Sequence, residues 1–199
     1  MSENIEEIAR EYAIKCHSQT NHMYDDKPYS HHLNMVVDIA KAFKHFIPEK
    51  DQLTVFAGCW THDVPEDTRE TFNNVKQAVN QEVAELAYAL TNEKGKNRAE
   101  RANYKYYYGI RQTKYATFIK LCDRMANVTY SMEAGGKSGM FEKYKKENKE
   151  FIDKLIQPDK FILWNYFLKW FMGKETYRLY LINRNPYNGM IGLLEIMCK

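Results

Sequence analysis

At 199 residues the chain is long enough for one domain with a full core. Its formal net charge of +3 excludes a strongly basic nucleic-acid surface, while leaving room for a local basic pocket. The four cysteines, Cys16, Cys59, Cys122 and Cys198, are scattered with no Cys-x-x-Cys. That spacing excludes a disulfide framework and points to a reduced, cytoplasmic protein.

The N-terminus is acidic and amphipathic, without the positive region of a signal peptide. Residues 3–18 are expected as a helix, with Ser2 as N-cap, Glu3, Glu6 and Glu7 in the first turn, and Ile5, Ile8, Ala9, Tyr12 and Ala13 at helical spacing. Residues 19–30 read as a polar loop closed by Pro28. Residues 31–46 read as a second helix with Leu33, Val36, Val37, Ala40 and Phe43 on one face. Pro48 suits the first turn of a third helix, running to about Asp63. Two shorter helices follow at 71–79 and 82–90, then a loop holding Lys94, Gly95 and Lys96.

A charged helix rich in Arg and Tyr is expected over 97–111. Its tyrosines Tyr104, Tyr106, Tyr107 and Tyr108 either stack on a base or pack between helices. Residues 115–131 read as a helix buried on most sides, 133–138 as a Gly-rich loop and 140–155 as a solvated helix. The chain is thus expected to be all-α, with one domain over 1–157. A mainly helical extension over 158–199 would pack on it, with a further helix at 159–173. Its apolar run from Phe161 to Met172 is too short to span a bilayer and contains Asn165 and Lys169, so no membrane partner is expected.

The densest chemistry lies in Thr61-His62-Asp63-Val64-Pro65-Glu66-Asp67-Thr68, which follows an apolar run from Val55 to Trp60. A buried helix ending in His-Asp carries two metal ligands to the rim of a pocket. Pro65 ends that helix, which lets adjacent side chains converge on one ion. Upstream, His31-His32 open a helix after Pro28-Tyr29-Ser30. Downstream, Asp123 lies on a mostly apolar helix, where an unpaired carboxylate is costly. His32, His62, Asp63 and Asp123 together carry a charge of −2 toward a divalent ion and leave two positions of an octahedron open. His31 competes with His32 for the first position. Glu66 and Asp67 are placed to handle a proton or hold a water. Asn127 is one turn beyond Asp123 and shares its face; Lys120, one turn before it, can meet phosphate. His17, His22 and His45 have no evident partners, and Cys122 is assigned to core packing.

The order His…His-Asp…Asp resembles that of the HD-superfamily metal phosphohydrolases. Pro-Tyr-Ser-His-His, His-Asp-Val-Pro-Glu-Asp-Thr and Ile-Lys-Leu-Cys-Asp-Arg-Met-Ala-Asn are similar to the hydrolase domain of RelA/SpoT-type enzymes, in the size of the small alarmone hydrolases, over residues 5–155. The resemblance implies an HD-domain helical bundle with a metal site in its central pocket. It implies one divalent ion, manganese first, with iron, zinc, cobalt or nickel as alternatives. The small-molecule partner would be a nucleotide, with removal of the 3′-pyrophosphate of (p)ppGpp or a related nucleotide as the reaction. Aligning Pro-Tyr-x-x-His makes His32 the ligand, and Glu66 and Asp67 become the acid-base pair. Asn127 would reach the ribose, and Lys120, Lys94 and Arg101 would meet phosphates, with Lys96 and Arg98 further candidates.

The family's Arg-Lys pair before Pro-Tyr is replaced here by Thr20-Asn21-His22-Met23-Tyr24-Asp25-Asp26, so Tyr24 or His22 would stack on the base and the choice of base stays open. Pro65 also stands where the family has a flexible residue. Two other readings share the motif: an HD-type nucleotidase or deoxynucleotide phosphohydrolase, and a non-catalytic nucleotide-binding HD module. Neither the oligomeric state nor the role of the C-terminal segment is legible.

Overall fold

The computed structural model describes residues 4–133 and 139–155; the expected extension over 158–199 and helix over 159–173 lie outside them. In chain order the elements are α1 (Ile5–Gln19), β1 (Met23–Tyr24), β2 (Lys27–Pro28), α2 (Ser30–Ala42), α3 (Glu49–Thr61), α4 (Val64–Asp67), α5 (Phe72–Ala78), α6 (Gln81–Leu90), α7 (Arg98–Arg101), α8 (Tyr104–Gln112), α9 (Ala116–Glu133) and α10 (Met140–Leu155). The architecture is an all-α bundle, as expected, with one two-stranded ribbon. None of the described helices is long and apolar enough to cross a membrane.

Local chemistry sets most of the boundaries. Asn4, not Ser2, caps α1 by accepting from the Glu6 amide at 3.0 Å. Thr71 and Asn74 form a reciprocal capping box at α5. The single helix expected over 97–111 is two helices, because Asn97 and Asn103 each turn a side-chain oxygen onto the amide three residues on. The second helix stops at Ala42, and Lys44–Phe46 form a separate 3-10 turn. Within the expected loop at 19–30, Met23–Tyr24 pairs antiparallel with Lys27–Pro28 around a turn in which Asp25 takes φ 54°.

Helix α3 is central, packed on α1, α2, α6 and α9. Its last seven residues, Val55 to Thr61, are all buried. Gly58 permits this: a Cβ there would sit 2.9 Å from both Ile119 of α9 and Leu86 of α6. The close approach brings the end of α3 beside the middle of α9, and that is where the site forms.

Candidate metal centre and active site

His32 in the first turn of α2, His62 at the end of α3 and Asp123 in α9 are all buried. One ligand atom from each lies within 4.8 Å of the other two. Asp63 joins them: its Oδ2 is 2.9 Å from His62 Nε2 and 3.7 Å from His32 Nε2. His32 Nε2 is in turn 3.3 Å from Asp123 Oδ1. His31 faces elsewhere, with its Nε2 3.4 Å from Lys27 Nζ, so of the two adjacent histidines His32 meets the cluster.

The donor set fits a divalent cation. His62 Nδ1 donates to the Cys59 carbonyl at 2.8 Å, which fixes the ring and aims Nε2 at the carboxylates. That Nε2 is buried and makes no aligned hydrogen bond among the described residues. Burial alone would lower the pKa of His62, yet Asp63 and Asp123 raise it to about 9, so the pair holds a positive charge in place. Burial opposes ionisation of Asp63 too, but His62 keeps its pKa well below the usual carboxylate range. Asp123 is likewise held low against burial, by Lys120 first and by His32. Two ionised carboxylates facing two imidazole nitrogens are a set that could hold a divalent cation, in charge and in ligand type.

The other expected site residues gather around this cluster in part. Lys120 Nζ lies 2.9 Å from Asp123 Oδ2. Asn127 Nδ2 donates to Asp123 Oδ1 at 2.5 Å and to the Asp123 carbonyl at 3.0 Å, while its Oδ1 accepts from the Tyr24 hydroxyl at 2.9 Å. The Tyr24 ring stacks on His32 at 4.9 Å and lies against Tyr130 at 4.6 Å, so it forms the pocket wall. Glu66 is fixed by Asn92, whose backbone amide and side-chain amide donate to its two oxygens at 3.0 and 2.6 Å. Asp67 is more open, its side chain about a third exposed. Burial, then the charges of Asp63 and Glu66, push its pKa up to about 7.

Lys94 and Arg101 are exposed, on the loop and short helix that follow Asn92. The Glu93 amide donates to the Arg101 carbonyl at 3.1 Å and closes that loop on itself. Lys96 is also exposed, and Arg98 is engaged by Glu147 of α10 at 3.1 Å. Cys122 is buried, as expected of a packing residue.

His17 and His22, expected to lack partners, do not. The His22 ring stacks on Tyr29 at 3.9 Å, and His17 stacks on Tyr29 at 4.4 Å. The Tyr29 hydroxyl donates to Asp63 Oδ2. Sequence reasoning missed His17, Tyr29 and Asn92, and named His22 only as a candidate to stack on the base, because each works through a contact made by folding. The only local hint was Tyr29, which belongs to the Pro-Tyr that precedes the histidine pair.

No protein-family model matches the chain, and no curated protein does. Among solved structures, it is similar to a metazoan ortholog of SpoT, a protein that hydrolyzes ppGpp and plays a role in starvation responses. The superposition has a TM-score of 0.60 at 23% identity and covers 78% of this chain and 86% of the other. This chain has the fold of that hydrolase. The likeness expected from the His…His-Asp…Asp order therefore holds at the level of the fold, over most of both chains.

Proposed function

We propose that the protein is a cytoplasmic, metal-dependent phosphohydrolase that removes pyrophosphate from the 3′ side of ppGpp or a related 3′-phosphorylated nucleotide. The observation that carries this reading is the convergence of His32, His62, Asp63 and Asp123 beside Glu66 and Asp67, inside a fold shared with a ppGpp hydrolase. Those four residues would hold the ion, manganese being the first to test. When bound, a divalent ion supplies Lewis acidity toward a phosphoryl oxygen and lowers the pKa of water.

The chain's own groups do the rest. Glu66, held by Asn92 in one orientation, presents a carboxylate that takes a proton from the attacking water. Asp67 has a pKa near neutrality and can hold that proton or return it to the leaving oxygen. Lys120 is half-buried, and its charge is kept against desolvation by Asp123, so it meets the phosphoryl group from inside the pocket. Asn127 and Tyr24 form the wall on which the nucleoside rests. Lys94 and Arg101 approach the outer phosphates from the rim.

The test is a hydrolysis panel with manganese-loaded protein: ppGpp, pppGpp, ppApp, 3′-phosphoadenosine phosphates, and ordinary nucleoside mono- and triphosphates. Release of pyrophosphate from the 3′-diphosphates is the expected result. Cleavage confined to ordinary nucleotides would replace the reading with a nucleotidase, and no cleavage at all would leave a binding module.

A further inference from the structure

We infer that Tyr29, packed against His17 and His22, is a positioning residue that holds Asp63 in the metal pocket. The inference rests on the reading of Asp63 as a ligand. Asp63 has another place to go. It is the N-cap residue of α4, and aspartate is among the best N-caps. Yet its side chain makes no capping bond. Pro65, the second residue of α4, has no N–H, so only the Glu66 amide remains for a cap to satisfy. The carboxylate instead turns inward and accepts from the Tyr29 hydroxyl, through the same Oδ2 that lies 2.9 Å from His62 Nε2. Adjacent residues such as His62 and Asp63 share one ion only when the second is turned back toward the first. Tyr29 supplies the hydrogen bond that keeps it turned.

The three-ring cluster explains why this phenol can serve. Tyr29 is buried, and its ring lies nearly parallel to His22 (17°) and close to parallel to His17 (28°). The two imidazoles meet at Nδ1···Nδ1 3.0 Å. His17 is buried in the last turn of α1, a helix packed on α3, so the stack ties the hydroxyl to the frame that carries His62. A hydroxyl fixed this way loses little further freedom when it bonds the carboxylate.

Tyr29→Phe in the full chain removes the hydroxyl and keeps the ring. Groups that orient metal ligands typically contribute about ten- to a hundred-fold in metal affinity, and that is the expected rise in the manganese dissociation constant. In the metal-free variant Asp63 should swing out to cap α4, moving the Glu66 amide resonance downfield and slowing its exchange. A ring that only fills space would move neither. An unchanged dissociation constant in the folded variant overturns this inference alone. A wild-type chain that takes up no manganese overturns it together with the metal reading. If Tyr29→Phe does not fold, His22→Leu removes the half-buried imidazole stacked on the Tyr29 ring; weaker manganese binding supports the inference, and unchanged binding overturns it.

Discussion

His62 and Asp123 reach the pocket from α3 and α9, two helices held apart by no more than Gly58; both side chains are buried, with His62 Nε2 3.9 Å from Asp123 Oδ1. Lys94 and Arg101 stand on a loop and a short helix open to solvent. The two sides answer different demands. A ligand set must hold its donor atoms in a narrow geometry, which only side chains locked by packing can do. Long cations that gather phosphate act over several ångströms and tolerate a mobile backbone. In this protein the buried wall would therefore carry chemistry, and the exposed rim would tune affinity.

Breaking the buried wall should cost most. Asp123→Ala is expected to abolish manganese retention and, with it, hydrolysis, as read by elemental analysis of protein purified without chelator. It also leaves the Lys120 ammonium without its partner. Retained metal in that variant would remove Asp123 from the ligand set.

Glu66→Gln and Asp67→Asn keep size and the ion but remove proton-accepting charge. Each should lower kcat by about a hundred- to ten-thousand-fold, the usual contribution of a general acid or base. Full turnover in both would reduce the pair to the first turn of α4.

Gly58→Val tests the frame rather than the chemistry. Its branches would drive into Ile119 and Leu86 and push α3 from α9. Overpacking of this kind costs about 1–3 kcal/mol, read as a lower denaturant midpoint, and manganese affinity should fall with it. A stable variant with unchanged affinity would show that the approach of the two helices is not what brings His62 to Asp123.

The rim should give the smallest effect. Lys94→Ala and Arg101→Ala are each expected to raise KM less than tenfold with kcat unchanged, because an exposed ion pair contributes only about 0–1 kcal/mol. A large fall in kcat from either would mean that the loop closes on the substrate and joins the chemistry.

What the sequence by itself determined is the set of local chemistries. His-Asp at the end of an apolar helix, followed by Pro65, already implies two ligands at a helix end, and α3 does stop at Thr61. Apolar spacing placed most helices, including the buried α9 with Asp123 and Asn127 one turn apart. The exceptions were also local: Asn97 and Asn103 lie inside a helical pattern, and each restarts the helix as a cap. Strands as short as Met23–Tyr24 and Lys27–Pro28 carry too few residues to show an alternation.

The tertiary structure alone decided how distant segments meet. Nothing in periodicity sets His17 and His22 against the ring of Tyr29, because that depends on how the ribbon returns the chain from His22 to Tyr29. Nor does it place Asn92, at the end of α6, against both oxygens of Glu66. Side-chain period is a property of one element, whereas these contacts depend on crossing angles and close approaches between elements. So the residues that would hold the ion could be read from their own neighbours in sequence. The residues that hold those residues in place could not.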